Sequence, residues 1–349
     1  MTRPPGRAGI FALVLCAMLT VPGGGRARAD SVADFFRGQT VTILVGSDPG
    51  GGYDAYARPV SRHLGRLIPG QPNVVVKYMP GAASIVASNY LFASAPRDGL
   101  TIGAIQRQIP FEPLRGDEAA RYDPFKMSWL GSVTSETSVL IVWSTAPQRK
   151  AQDLLTMPLI AASLGSGTDS EVESIAMARL LGAPIKLISG YQGTPDALLA
   201  LERGEVQGIH GISWSYVKTK KADWLRDGKI RLLLQSGLKP NPDLVDVPTI
   251  YDLVKTAEDR QVWDLILAPK VMSRPYVLPP EVPAERVAAL RTAFDQLMKD
   301  PAFLADMEAL QLDVIPTSGA EIEGLMRRLY AAPPAAIAKM RAAIAPEGR

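Results

Sequence analysis

The sequence predicts an α/β protein built from two lobes, and three observations lead to that prediction. Short β-branched and apolar runs alternate along the chain with stretches of helical spacing, a pattern typical of βα units. Removing an expected leader of 29 residues from the 349 leaves 320, more than a single hydrophobic core usually organises. Glycine-rich turns follow several of the predicted strands, at the edge where open α/β sheets bind ligands.

The predicted elements cover the chain from the end of the leader onward. Strands are expected at 40–46, 73–78, 100–105, 127–133, 139–143, 159–163, 185–189, 209–211 and 230–235. Helices are expected at 54–67, 83–94, 170–181, 195–203 and 213–220. Further along, Val287, Leu290, Phe294 and Leu297 follow one another at helical spacing, which predicts the apolar stripe of another helix.

The first 29 residues have the features of a secretory signal peptide. Arg3 and Arg7 precede a mostly apolar run at 10–21, and Ala27-Arg28-Ala29 supplies the small residues that a signal peptidase requires. The apolar run is well short of the roughly 20 residues that a membrane-spanning helix needs. We therefore expect cleavage before Asp30 and export of the mature chain, with an uncleaved membrane anchor as the alternative.

Charge and cysteine content exclude several classes of function. The chain has 38 Lys and Arg against 35 Asp and Glu, but the leader holds four arginines and no acidic residue, which leaves 34 against 35. This near-neutral balance gives no reason to expect a nucleic acid partner. The single cysteine, Cys16, lies in the leader, so the mature chain has no thiol for a disulfide, a metal or catalysis. His63 and His210 lack metal-ligand spacing, and we expect neither a metal nor a cofactor.

Four glycine-containing turns between a strand and a helix are the candidate binding elements. The first, 47–54, has three glycines that uncover backbone N–H groups at the positive end of a helix dipole, an arrangement suited to anions. It lacks both the P-loop lysine and the dinucleotide-binding spacing. The others are 80–84, 164–170 and 190–195. An ordinary tight turn is the alternative for each of them.

Acidic residues near these turns are expected to serve structure. We interpret Asp54 as a helix cap because it would repel an anionic ligand, and Asp169 or Ser170 as the cap of the next such helix. Glu171 and Glu173 lie two positions apart on a helix, so they are expected on a solvated first turn rather than as a catalytic pair. The chain also lacks a G-x-S-x-G nucleophile, and an enzyme is not expected.

The ordered set of motifs resembles the receptors of tripartite tricarboxylate transporters, the TctC or Bug proteins. The resemblance begins with Pro-Gly-Gly-Gly-Tyr-Asp at 49–54, Met-Pro-Gly-Ala at 79–82 and Ala-Pro-Arg-Asp-Gly at 95–99. It continues through 190–194, 201–206, 282–286 and 298–303, over essentially the whole mature chain. It implies a periplasmic protein of the type II periplasmic binding fold, with two α/β lobes that close on a small organic carboxylate. The expected lobes are 30–137 with 237–349, and 138–236.

The same resemblance implies a set of ligand-binding residues that use mainly backbone amides and hydroxyls. They are Gly51, Gly52, Tyr53 and Ser84 in the first lobe, and Ser166, Gly167, Thr168 and Thr194 in the second. One departure is Gly81-Ala82-Ala83-Ser84, where the family usually has Gly-Ala-Gly-Gly.

Partners and output follow from the resemblance as expectations. The expected partners are the carboxylate and the membrane permease subunits of the transporter, and the expected receptor is a monomer. Signalling to a sensor protein is the alternative output. None of the four turns contains Arg or Lys, which argues against a highly charged ligand. Trp214 is interpreted either as a wall of the cleft or as a core residue.

Overall fold

The computed structural model describes residues 1–2, 32–165, 167–191 and 193–345. Their strands form two mixed sheets with helices around them, and the predicted α/β fold class is confirmed. Almost all of the expected leader, including Cys16, lies outside the described residues. No helix within the described ranges combines the length and apolar character that crossing a bilayer requires.

The first sheet contains six strands from the described parts of the chain. Their bounds are β1 Thr40–Val45, β2 Asn73–Tyr78, β3 Thr101–Ala104, β4 Ser128–Ser132, β10 Pro275–Leu278 and β11 Thr317–Ser318. The strands lie in the order β11-β4-β10-β3-β1-β2. β1 pairs in parallel with β2 and β3, whereas β10 runs antiparallel to β3 and β4.

The second sheet takes its strands from the intervening part of the chain. They are β5 Ser138–Trp143, β6 Leu159–Ser163, β7 Ile185–Ser189, β8 Gly208–Ser213 and β9 Ile230–Ser236, in the order β7-β6-β8-β5-β9. β6 is parallel to β7 and β8, while β5 is antiparallel to β8 and β9. The exact lobe boundaries stay a prediction.

Helices cover the faces of both sheets. After a short helical segment at 32–36 they are α1 Gly52–Leu64, α2 Ile85–Ala93, α3 Glu112–Arg115, α4 Asp169–Leu181, α5 Thr194–Glu202, α6 Trp214–Lys220, α7 Ala222–Arg226, α8 Ala257–Leu267, α9 Ala284–Leu297, α10 Pro301–Ala309, α11 Gly319–Tyr330 and α12 Pro334–Ile344. The stripe predicted for α9 is confirmed, since Leu290, Phe294 and Leu297 are buried in the core of the first sheet, with Val287 packed beside them.

The nine predicted strands are all present, but β10 and β11 were not predicted. β10 begins at Pro275 and is followed directly by Pro279 and Pro280, and proline argues against a central strand because it has no N–H to donate. β10 nevertheless lies between β3 and β4. β11 has only two residues and is too short to produce a sequence pattern.

Two chain segments run side by side between the sheets. The segment from β4 to β5 pairs with the segment that precedes β10, through Glu136 N–H donating to Lys270 O (2.9 Å) and Ser273 N–H donating to Thr134 O (2.9 Å). This pairing places the side chains of Glu136, Lys270 and Arg274 at the junction of the two sheets.

The last helix contacts both halves of the molecule. α12 packs against α4 and α8. On one side, Arg179 Nη1 of α4 donates to Ala342 O (2.8 Å) and Ala345 O (2.6 Å). On the other side, Arg341 Nη2 donates to Leu114 O of α3 (2.8 Å). α12 is therefore fixed to helices that follow strands of each sheet.

Candidate functional site

A cavity of about 370 Å³ lies between the two sheets. Its walls include residues that follow the carboxyl ends of β1, β3 and β6, the end of β8, and the segment before β10. Open α/β sheets bind ligands at this edge because the strand ends leave a crevice there. The cavity is of the size that small-molecule ligands occupy.

The eight predicted ligand residues fall into four groups, of which Ser84 alone forms the last. Four of them line the cavity: Tyr53, Gly167, Thr168 and Thr194. Gly51 and Gly52 are exposed at the start of α1, where a Cβ on Gly52 would lie 3.2 Å from the Nη2 atom of the wall residue Arg274. Ser166 lies outside the described residues. Contact between these residues and a ligand stays a prediction.

Ser84, the remaining predicted ligand residue, has no exposed surface. Its hydroxyl donates to Gly46 O (2.8 Å) and accepts from the N–H of Gln106 (3.2 Å), a residue of the cavity wall. Ala83 and Ser84 adopt φ of 50° and 76°, a left-handed backbone that glycine would adopt at lower cost. Ser84 therefore positions the wall from behind.

The acidic and hydroxyl residues expected as helix caps have different roles. Asp54 is not the N-cap of α1, which is Gly51 and makes no side-chain cap bond; the Asp54 carboxylate instead accepts from Gly50 N–H (2.7 Å), just before the start of α1. For α4, the N-cap is Thr168 and makes no side-chain cap bond. Ser170 Oγ instead accepts from Leu164 N–H (2.9 Å), while Asp169 contacts two cations described below. The prediction that Asp169 or Ser170 caps α4 is therefore wrong.

Seven charged side chains line the cavity wall. They are the cations Arg107, Arg115, Lys270 and Arg274 and the carboxylates Glu136, Asp169 and Glu173. The four turns contain no Arg or Lys, but the site does contain cations, because other segments of the chain contribute them. Within the described ranges, no group of three or more His, Cys, Asp or Glu side chains is placed to hold a metal ion.

Two of these cations join the sheets through ion pairs. Lys270 Nζ lies 2.8 Å from Asp169 Oδ2 and 2.7 Å from Glu173 Oε1. Arg107 Nη1 lies 2.6 Å from Glu136 Oε2, and its Nη2 donates to Asp169 Oδ2. Arg107 and Lys270 belong to segments next to strands of the first sheet, whereas Asp169 and Glu173 lie on α4, which follows β6 of the second. The ion pairs therefore cross the cavity.

Burial and charge act on the ionisation of this cluster in opposite directions. Burial alone would raise the pKa of the Asp169 carboxyl, but Arg107 and Lys270 outweigh it and hold the pKa well below its ordinary value. Burial alone would lower the pKa of Lys270, and Asp169 and Glu173 outweigh it and raise the pKa. Both groups are charged at neutral pH.

The expectation that Glu173 lies on a solvated first turn is wrong. Its side chain is 2% exposed and faces β8 and the start of β5. Ser138 Oγ donates to Glu173 Oε2 (2.7 Å), and His210 Nε2 lies 3.3 Å from the same oxygen. Glu173 is thus a buried carboxylate with three partners, Lys270, Ser138 and His210.

A bulge in β8 allows α4 to approach the sheet this closely. The register between β5 and β8 shifts so that His210 and Gly211 together lie opposite Leu140. Gly211 adopts φ +75°, and a Cβ there would lie 2.5 Å from the carbonyl carbon of Asp169 and 2.6 Å from Ser170 N. Gly211 therefore provides both the left-handed backbone and the space for the start of α4.

We expect His210 to make stability depend on pH. Burial lowers the pKa of His210 below 6.5 and outweighs the attraction of Glu173. The unfolded chain then binds this proton more readily than the folded chain, so the free energy of unfolding should fall as pH drops below about 6.5 toward the lowered pKa. Urea unfolding between about pH 8 and pH 5 measures this slope. His210→Gln should flatten it; an unchanged slope in His210→Gln would contradict the assignment.

Trp214 belongs to the core of the second sheet, which confirms the core interpretation. It is 9% exposed and packs in the cluster that includes Val139 and Ile212. Its Nε1 donates to Asp243 Oδ2 (3.1 Å), so its polar atom has a partner.

Comparison with known proteins identifies the family. The model of the tripartite tricarboxylate transporter family receptor, TctC, matches residues 57–330. This chain belongs to that receptor family. The receptor is 28% identical over 288 residues to a UPF0065 protein encoded between tcbD and tcbE in Pseudomonas sp. strain P51, covering 78% of this chain and 79% of the relative.

Solved structures share the fold of this receptor. A TctC solute-binding protein from Polaromonas superposes with a TM-score of 0.68 at 16% identity, covering 88% of this chain and 98% of that one. MatC from Rhodopseudomonas palustris, solved with bound malate, superposes with a TM-score of 0.57 at 20% identity, covering 88% and 99%. The family and these neighbours are solute-binding receptors.

Proposed function

We propose that this receptor captures a small organic carboxylate in the cavity between its two sheets and delivers it to the permease of a tripartite tricarboxylate-type transporter. The observation that carries the proposal is the cavity itself, whose wall contains Arg107, Lys270 and Arg274 as well as the first turns of α1 and α4. Guanidinium, ammonium and helix N-terminal N–H groups all favour carboxylates. The malate bound to MatC is a carboxylate of this size range.

Capture would use closure of two lobes, 30–137 with 237–349 and 138–236, about the paired segments that contain Glu136 and Lys270. A ligand that receives hydrogen bonds from both lobes stabilises the closed form and shifts the population toward it. Tyr53 would approach the ligand from the first lobe, and Gly167, Thr168 and Thr194 from the second. The predicted donors Gly51, Gly52 and Ser166 would complete the set. Ser84 would act from behind the wall, by holding the backbone of Gln106 in place.

Location and partners follow the same proposal. The leader at 1–29 directs export and is removed before Asp30, so that the receptor works in the periplasm as a monomer. There it meets the permease subunits, to which the closed form would dock.

Thermal unfolding against a panel of organic acids tests this function. The full chain, exported with its leader and purified from the periplasm, is heated with mono-, di- and tricarboxylates, and with neutral sugars as controls. A ligand that binds only the folded protein at about 100 times its Kd adds roughly 2.7 kcal/mol to the free energy of unfolding, so the melting temperature rises with dose. Carboxylate capture would be contradicted if none of the acids raised the melting temperature, or if only the sugars did.

A further inference from the structure

The four cations of the cavity wall differ in their contacts. Arg107 and Lys270 are both held by carboxylates across the cavity, and Arg115 pairs with Glu112 (3.4 Å). Arg274 also lines the cavity, but no carboxylate of the described residues lies within ion-pairing distance of its guanidinium. Arg274 is therefore the wall cation with charge left to offer a ligand.

The surroundings of Arg274 hold it in place without a carboxylate from the described part of the chain in contact with its guanidinium. Its guanidinium carbon lies 4.6 Å from the ring centroid of Tyr53 and 5.0 Å from that of Tyr56. Nη1 donates to Ser273 O (2.7 Å), and Nε is buried with no hydrogen-bond partner among the described residues. Nη2 approaches the first turn of α1, 3.2 Å from the position that a Cβ on Gly52 would take. Aromatic faces and a carbonyl thus position the cation beside the α1 N–H groups.

Asp169 supplies the opposite pole of the cavity. Both of its ion pairs use the same oxygen, since Arg107 Nη2 and Lys270 Nζ each donate to Oδ2. Oδ1 accepts no hydrogen bond from the described residues, and the side chain is 28% exposed. One carboxylate oxygen therefore remains available to a donor in the cavity.

The charge balance of the wall limits what the cavity accepts. The wall holds four cations and three carboxylates, and Glu112, the partner of Arg115 outside the wall, brings the carboxylates to four, so the charges balance before a ligand enters. One ligand carboxylate can pair with Arg274. A second ionised carboxylate would meet cations that already have anionic partners, and would add like charge near Asp169 where little water screens it.

We propose that this receptor selects monocarboxylates that carry a hydrogen-bond donor, hydroxyl or ammonium, away from the carboxylate. The carboxylate pairs with Arg274 and the donor bonds to Asp169 Oδ1. The inference rests on the proposed carboxylate capture and names the ligand class within it. It separates this receptor from MatC, whose bound malate carries two carboxylates.

Calorimetry with matched ligand sets tests the selectivity. One set is 4-hydroxybutanoate, 4-aminobutanoate and succinate, and the other is 6-hydroxyhexanoate, 6-aminohexanoate and adipate. At one length or both, the hydroxy or amino acid should bind at least about tenfold more tightly than the diacid, as one lost charge-assisted hydrogen bond implies. Tighter binding of the diacid at both lengths would overturn the inference but leave carboxylate capture standing. Binding of no acid would overturn both.

Two variants test the two poles separately. Arg274→Gln should weaken binding of the preferred acid about 10- to 100-fold, whereas the surface control Arg226→Gln should bind normally. Asp169→Asn should reduce about tenfold the ratio of the affinity for the preferred acid to that for the diacid, because it removes a negative charge from the cavity. Arg107 would still pair with Glu136, and Lys270 with Glu173. Unchanged affinity in folded Arg274→Gln, or unchanged selectivity in Asp169→Asn, would overturn the assignment.

Discussion

Replacing Lys270 with methionine should lower the free energy of unfolding by about 3–5 kcal/mol, the usual cost of removing one partner of a buried ion pair. The lysine side chain is 4% exposed and its Nζ contacts Asp169 and Glu173. Asp169 keeps Arg107, but Glu173 would retain only neutral partners for a charge that is 2% exposed. The loss should therefore come mainly from Glu173.

Urea unfolding at neutral pH measures the Lys270→Met effect, with Lys186→Met on the exposed edge strand β7 as the matched control. The control should change the free energy of unfolding by less than about 0.5 kcal/mol. Adding Glu173→Gln to Lys270→Met removes the stranded charge and should recover part of the loss. A double variant less stable than Lys270→Met alone would show that the ion pair is not the source.

Gly211→Ala should be similarly destabilising, by about 2–5 kcal/mol, because strain and overlap add. Its φ of +75° is unfavourable for alanine, and the new Cβ would overlap the backbone of Asp169 and Ser170 at about half an ångström or more inside contact distance. Relief of that overlap requires the start of α4 to move away from β8. Such a movement would displace Asp169 from Lys270 and weaken ligand binding as well.

Gly182→Ala separates the two causes. Gly182 has nearly the same φ, +71°, but a Cβ there meets nothing within 4 Å. In the control, only the left-handed strain on alanine should lower the free energy of unfolding, by about 1–2 kcal/mol, and the variant should bind ligand normally. Denaturant unfolding and calorimetry on both variants make the comparison. Equal losses of stability and equal affinity in the two would mean that the overlap at Gly211 has no consequence.

Most of the fold could be predicted because its signals are local. The nine strands at 40–236 carry β-branched or apolar runs, most of them bounded by glycine or proline, and each run can be recognised within about ten residues. β10 could not be found in this way, since it is a four-residue strand that begins with a proline and is followed by two more, and yet it pairs on both sides. The segment that leads into β10 also contains Lys270 and Arg274, so these two residues of the cavity wall could not be placed from the sequence either.

Only part of the site could be predicted from the sequence, for a similar reason. Glycine-containing turns are recognised by their composition, and the cavity is lined by Gly167 and Thr168 of one such turn. The ion pairs join residues far apart in the chain, with Asp169 and Lys270 separated by 101 positions. Nothing in the spacing of charged residues links such pairs, and Glu173 looks like any acidic residue in a first helical turn. Only the packing of α4 on β8 reveals that it is buried.

The position of α12 has a consequence for the order of folding. This helix, at Pro334–Ile344, lies far along the chain from α4, which begins at Asp169, yet it packs over α4 and is bound by Arg179. The face of α4 that α12 covers therefore stays exposed until residues 334–345, which lie far further along the chain, have been synthesised and folded against it. The same arrangement makes residues 334–345 the segment whose truncation exposes apolar surface in the middle of the protein.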